Sequence, residues 1–320
     1  MNKKQIVSGI LATSLLFGGY SAADAKVISN NKEKNNDNKI ENKVFIKGGD
    51  LDKSEVEDTK DELDVNSSYK TYSINKDEVT ELTGSSYAFI HSSASIVPNK
   101  IKKGVTVEIT TPDNITRITE EQYANAAITA GIKNAHIKIA SIDRVTGEGA
   151  LAGIHKAYAE EGNELNQQDI DNANDEMETL AQINDENKDK DDYSDEAMNN
   201  AVADMKEQVA NEKAKGNDVS SKDVDKIVDK TLKDKGIRDS LNDNQITNIN
   251  NIVINASKSS AMEQDPEAYA DQASKLKDNL SGSIDKLKEK AYDNKGLLAK
   301  IWDAIVGFFE AIVNFFKNLF

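Results

Sequence analysis

Gly147-Glu148-Gly149-Ala150-Leu151-Ala152 has the form G-x-G-x-x-A. Where such a run closes a strand and opens a helix, its glycines let the backbone approach a pyrophosphate, and the helix N-terminus meets the negative charge. The run follows a predicted strand, so its local setting fits. The expected sequel is missing, because no strand pattern follows the helix and no strand-end acid stands about 20 residues on. Three readings stay open: a nucleotide turn, an anion site on the exposed amides of the helix start, or a tight turn that packs a helix closely on a sheet. Ser92 and Ser93, next to His91, could supply a nucleophile. No G-x-S-x-G or S-x-x-K pattern frames them, and no catalytic residue is singled out. Ser92, Ser93, Thr146, Gly147 and Gly149 form the candidate ligand-binding set. An enzyme of the cell envelope would have its site near Ser92 and the Gly147 and Gly149 turn.

Asp185, Asn187, Asp189 and Asp191 alternate along the chain, and Glu196 stands at the twelfth position from Asp185. These are the ligand types of a calcium loop between two helices. The sixth position should be glycine and is Lys190; the eighth is usually apolar and is Asp192. A secreted calcium- or ligand-binding module and a solvated acidic linker are the two readings. No other cofactor is implied. The three histidines, His91, His136 and His155, form no ligand-spaced pair.

The elements that would position these residues follow from periodicity. Residues 43–46 and 70–74 read as short strands around a charged helix over 51–63, with Asp50 as its N-cap. Residues 75–82 add a helical turn or two, ended by Gly84. Residues 87–97 and 105–110 alternate as strands and are expected to form a long-looped hairpin. Thr119-Glu120-Glu121-Gln122 is a capping box that opens a helix with Tyr123, Ala126, Ala127 and Ala130 on its apolar stripe, ended by Gly131. A strand over 136–142 completes a parallel crossover. A helix over 146–159 closes an N-terminal α/β sandwich domain spanning 43–162.

After Gly162 the strand signals stop. Helices are expected over 164–183, 194–215, 219–235, 241–261 and from Pro266 toward Ala291, with residues 185–192 as a linker. Residues 163–292 read as an all-α helical bundle. Residues 297–320 carry Ile301, Trp302, Ile305, Phe308, Phe309, Ile312, Phe315, Phe316 and Leu319 on a wide apolar face of an amphipathic helix. That face suits a membrane surface, the bundle or another copy of the chain; a full span would place Asp303 and Glu310 at depth. The fold class is therefore α+β.

Met1-Asn2-Lys3-Lys4 is basic, residues 6–20 are uncharged, and Ala23-Asp24-Ala25 is a small-x-small site. Residues 1–25 read as a secretory signal peptide and 26–42 as a disordered tether. The chain has 320 residues and no cysteine, so no disulfide framework supports it. A net charge of −16 disfavours a nucleic-acid partner. No feature identifies a protein partner.

The blocks at residues 123–132 (YANAAITAGI), 137–141 (IKIAS) and 145–158 (VTGEGALAGIHKAY) resemble the domain-of-unknown-function family 1002, YpuA-like exported proteins of Gram-positive bacteria. Ser92-Ser93-Ala94 and Asn114-Ile115-Thr116 fit the same resemblance, which covers about 43–280. Gly48-Gly49-Asp50-Leu51 is similar to a glycine-alanine-aspartate-leucine turn of the family, with Gly49 departing from it. The resemblance implies fold and export, and no activity or catalytic residue. The combined expectation is an exported, envelope-associated, extracellular protein that acts as a binding or structural module, with an envelope enzyme as the alternative.

Overall fold

The computed structural model describes residues 40–99, 104–163, 165–190 and 192–293, with side chains as far as Ser281. The signal peptide, most of the tether and the amphipathic stretch 297–320 lie outside the described residues. Ile40, at the end of the stretch read as tether, is buried.

Five strands form one mixed sheet: β1 Val44–Gly48, β2 Lys70–Ile74, β3 Ser93–Pro98, β4 Thr106–Ile109 and β5 Ala135–Ala140. Their order is β2-β1-β3-β5-β4. The β1/β2 and β4/β5 pairs are parallel, and β3 runs antiparallel to both β1 and β5. Each parallel pair is bridged by one helix, α1 (Lys53–Glu62) or α3 (Glu120–Thr129), as the crossover pattern requires. The expected hairpin between 87–97 and 105–110 does not form. β3 takes the centre of the sheet, and β4 goes to the edge beside β5. The first half of that predicted strand is irregular, because Asp50 takes both backbone groups of Ile90: its amide donates to the Ile90 carbonyl (3.3 Å), and its carboxylate accepts from the Ile90 amide (2.8 Å). The capping role expected of Asp50 falls to Asp52, which accepts from the Ser54 and Glu55 amides.

Alternation sorts the sheet's two faces. Val44, Ile46, Ala94, Ile96, Ile137 and Ile139 face the main core. Phe45 and Ala140 belong to a small second cluster with Leu63, just past α1. Lys138 reaches Asp64 at 2.6 Å, near that same second cluster.

Beyond α2 (Lys76–Thr83) and α4 (Glu148–Glu160), the chain is helical: α5 Gln167–Asn187, α6 Asp195–Ala214, α7 Ser221–Asp234, α8 Asp243–Ser257, α9 Ser260–Gln264 and α10 Pro266–Asp293. The single helix expected over 241–261 is two. Ser259 caps α9, and the α5 carboxylate of Asp169, itself buried, accepts from the Ser260 and Ala261 amides. The linker expected at 185–192 is shorter, since α5 continues through Asn187. Among the described residues no helix is long and apolar enough to cross a membrane.

Helix α3 packs on β4 with one side and on α5, α6 and α10 with the others. Every residue from Gln122 to Thr129 is buried. A helix without a wet face must hold its polar side chains in bonds. Lys206 of α6, fully buried, pairs with Glu176 of α5 and donates to the Asn125 carbonyl at 3.1 Å. Thr129 donates to the other Glu176 oxygen at 2.5 Å, and Asn125 donates to Asn199. Burial pulls the Lys206 ammonium below its usual range, and the Glu176 carboxylate opposes that pull.

Removing one partner of such a pair strands a buried charge and costs about 3–5 kcal/mol. Lys206→Met alone is therefore expected to lower the urea unfolding free energy by about 3–5 kcal/mol. The double variant Lys206→Met with Glu176→Gln is expected to recover most of that loss.

Candidate functional site

The loops leaving β4 and β5 are joined to each other. Asn114 donates through its side chain to the Ser141 (2.8 Å) and Ile142 (3.1 Å) carbonyls, and its own carbonyl accepts from the Val145 amide at 2.8 Å. Thr116 sends both its amide and its hydroxyl to the Val145 carbonyl, each at 2.9 Å. The Ile118 amide donates to the Thr146 carbonyl. The turn into α4 follows. Gly147 is its N-cap with φ 119°, and the Tyr123 hydroxyl donates to the Gly147 carbonyl at 2.6 Å. A Cβ on Gly147 would stand 2.5 Å from that hydroxyl oxygen and 3.0 Å from Ile115 Cγ2. Glycine is required twice over, for the backbone angle and for the space.

The five candidate ligand-binding residues are placed unequally. Ser92 lies against Gly149, its Oγ 3.1 Å from where a Cβ would be, with Ile90 alongside. These two side chains take the space directly above Gly149. Ser93 is bound into the sheet, accepting from the Gly48 amide and donating to the His91 carbonyl. Thr146 is exposed, and Gly147 faces Tyr123. The tight-turn reading of the G-x-G-x-x-A run accounts for these contacts.

Sequence reasoning did not pair His91 with Asp143. Their Nδ1–Oδ2 distance is 2.7 Å across 52 positions, a separation that no local pattern signals. Phe89 stacks beside the imidazole, with ring centroids 4.6 Å apart, and is the exposed large hydrophobic residue of the described chain. A carboxylate at Nδ1 orients an imidazole for work at Nε2. Acyl transfer would also need a hydroxyl bonded to that nitrogen. Ser92 is 5 % exposed, and among the described residues its hydroxyl is not bonded to the His91 ring, whose Nδ1 is taken by Asp143, so that pair is not assembled there.

Glu148, in the first turn of α4, gives one oxygen to Arg117 at 3.0 Å, and its second oxygen is buried without a partner. Arg117 also holds Glu178 through two nitrogens and Asp185 through Nε. Its guanidinium is held above its usual range, first by Glu178. Asp185 is thus engaged with Arg117 and Lys188. Asn187 is fully buried, donating to the Ile183 carbonyl and accepting from Lys190. Asp189 sits on the turn after α5, Asp191 lies outside the described residues, and Glu196 accepts from Ser194 in the first turn of α6. Among the described residues no group of three His, Cys, Asp or Glu side chains is arranged to hold a metal ion.

At the start of α3, Thr119 Oγ1 and Gln122 Nε2 both donate to Asp195, the first residue of α6. Burial pushes the Asp195 carboxyl up to about 7, and the two donors oppose the shift. His155 of α4 is buried with neither ring nitrogen bonded, and burial pushes it down to about 3, so it is a neutral packing residue.

Gly147→Ala adds an overlap to an unfavourable backbone angle and is expected to cost more than about 2 kcal/mol by urea unfolding. Gly84→Ala, with a φ of 69° and open space around it, is the control and should cost about 1 kcal/mol. A carboxyl raised in the fold contributes most below its unfolded value of 3.8, and that contribution is lost as pH rises toward about 7. Thermal melts should therefore show stability falling across that window, and Asp195→Asn should flatten the fall and raise the melting temperature at pH 8.

A family model described as a protein of unknown function (DUF1002) matches residues 47–276. The chain is 30% identical over 281 residues to the uncharacterized protein YpuA of Bacillus subtilis (strain 168), covering 86% of this chain and 89% of the relative. No solved structure matches. The residues that carry the turn from Asn114 to Gly149 lie inside the matched span, and the chain belongs to the DUF1002 family of proteins of unknown function.

Proposed function

We propose that this chain is exported and works at the cell envelope as a non-enzymatic binding module, held at a membrane surface or against another copy by residues 297–320. The observation that carries the non-enzymatic part is the state of Ser92. The residue is buried, its hydroxyl lies against Gly149, and it is bonded to no base among the described residues. The serine-based chemistry that the sequence could suggest therefore has no activated nucleophile. Export is supported by the basic start, the uncharged run over 6–20 and the Ala23-Asp24-Ala25 site. Attachment is supported by the sequence pattern, which on a helix would set Ile301, Trp302, Ile305, Phe308, Phe309, Ile312, Phe315, Phe316 and Leu319 on one apolar side.

The test is to produce the chain with and without residues 297–320 in a Gram-positive host and to separate cytoplasm, membrane and medium. The full chain is expected in the membrane fraction and the truncated one in the medium. An unchanged distribution rejects the tail as the attachment, and both forms in the cytoplasm reject export.

A further inference from the structure

Helices α5 and α8 leave a groove between the face of α5 around Gln182 and the first turns of α8. Thr179, Gln182 and Glu186 line one wall, and Asn244, Gln245 and Asn248 the other, with a cavity volume of about 280 Å³. That lies just below the ~300–1,000 Å³ typical of small-molecule sites. We propose that this groove is a binding site for a neutral saccharide.

Its chemistry selects by elimination. Glu186 is the one charge in the lining, and each of its oxygens accepts a hydrogen bond: Gln182 Nε2 donates to one at 2.9 Å and Gln245 Nε2 to the other at 2.8 Å. A metal cation would find a single carboxylate and no second charged ligand in the lining, and an anion would meet that carboxylate directly. An apolar ligand finds only Ile183, which is buried in the core. What faces outward is carboxamide and hydroxyl. Asn244 and Asn248 are exposed, and among the described residues no hydrogen bond engages either side chain. A carboxamide offers donors and an acceptor together, and so does a sugar hydroxyl, so each hydroxyl can be met in either sense. A peptide strand would instead need pockets for alternate side chains, and this lining has none.

The wall is also ordered before any ligand arrives. Gln245 is 4 % exposed, and it exchanges hydrogen bonds with Asn242 in the capping box of α8 while holding Glu186. Preorganised groups lose little freedom on binding. The groove's lining includes none of residues 297–320, so its test and that of the attachment fail separately.

The test uses the ¹⁵N-labelled full chain and follows side-chain amide resonances by NMR. The probes are β-1,4-linked tetramers of glucose and of N-acetylglucosamine, with a tetra-alanine peptide as the comparison. Shifts confined to Gln182, Asn244, Gln245 and Asn248 with either saccharide are expected, and the two tetramers show whether the acetamido group contributes. Asn244→Ala with Asn248→Ala, both at exposed helical positions, should weaken binding about ten-fold while leaving the melting temperature unchanged. No shift at ~10 mM saccharide, where a site of about 1 mM Kd is nearly full, overturns the proposal. Shifts with the peptide alone overturn it equally, as does a double variant that binds like the parent.

Discussion

Helix α3 has no solvent face, and the architecture on both sides of it follows from that. A helix laid on a sheet normally keeps one wet side, where its polar residues need no partners. Here α5, α6 and α10 cover that side. The alanines Ala124, Ala126 and Ala127 let the neighbours approach closely. The polar residues that remain, Asn125 and Thr129, then need partners of their own. Glu176 of α5 and Lys206 of α6 supply them. The ion pair is not a cheap way to gain stability, because both charges leave water. It is the way a polar helix can be enclosed with its side chains satisfied, and it ties the register of α5 and α6 to that of α3.

The same helix fixes the turn that dominates the sequence pattern. Tyr123 reaches from α3 to the Gly147 carbonyl at the mouth of α4. Asn114 and Thr116, ahead of α3, grip the chain at Ser141, Ile142 and Val145, ahead of α4. The asparagine-isoleucine-threonine and VTGEGAL blocks are thus two halves of one joint. Its glycine answers to Tyr123 and Ile115 within the protein, with no ligand needed to explain it.

Much of this was legible from local pattern. The strands β1, β2, β4 and β5 and the starts of α2, α3, α6 and α10 follow from alternation and caps, because those signals are carried by neighbours in the chain. Most of the failures involve distant partners. The irregular stretch before β3 depends on Asp50, 40 residues earlier, taking the Ile90 backbone. The break between α8 and α9 is stabilised by Asp169, 91 residues earlier. The His91–Asp143 pair and the groove between α5 and α8 are assembled only when separate elements meet. In the acidic run, alternation resembled a metal loop. Helix propensity carried α5 through Asn187 instead, and Arg117 engaged Asp185.

Charge gives these surfaces a common character. Acids exceed cations by 56 to 40, and many of the cations are paired with acids of the same chain, as at Arg117, Lys138, Lys206 and Lys277. Polyanions are opposed over most of the surface. Recognition of a neutral ligand on such a protein is easiest where an acid already accepts hydrogen bonds from neighbouring amides, because those donors fix the carboxylate in place without taking it out of water. Glu186 between two glutamine amides is in that state, whereas Glu148, with one oxygen buried and unpartnered, is not. That difference, more than the glycine pattern, separates a surface suited to a neutral ligand from a turn committed to holding the fold together.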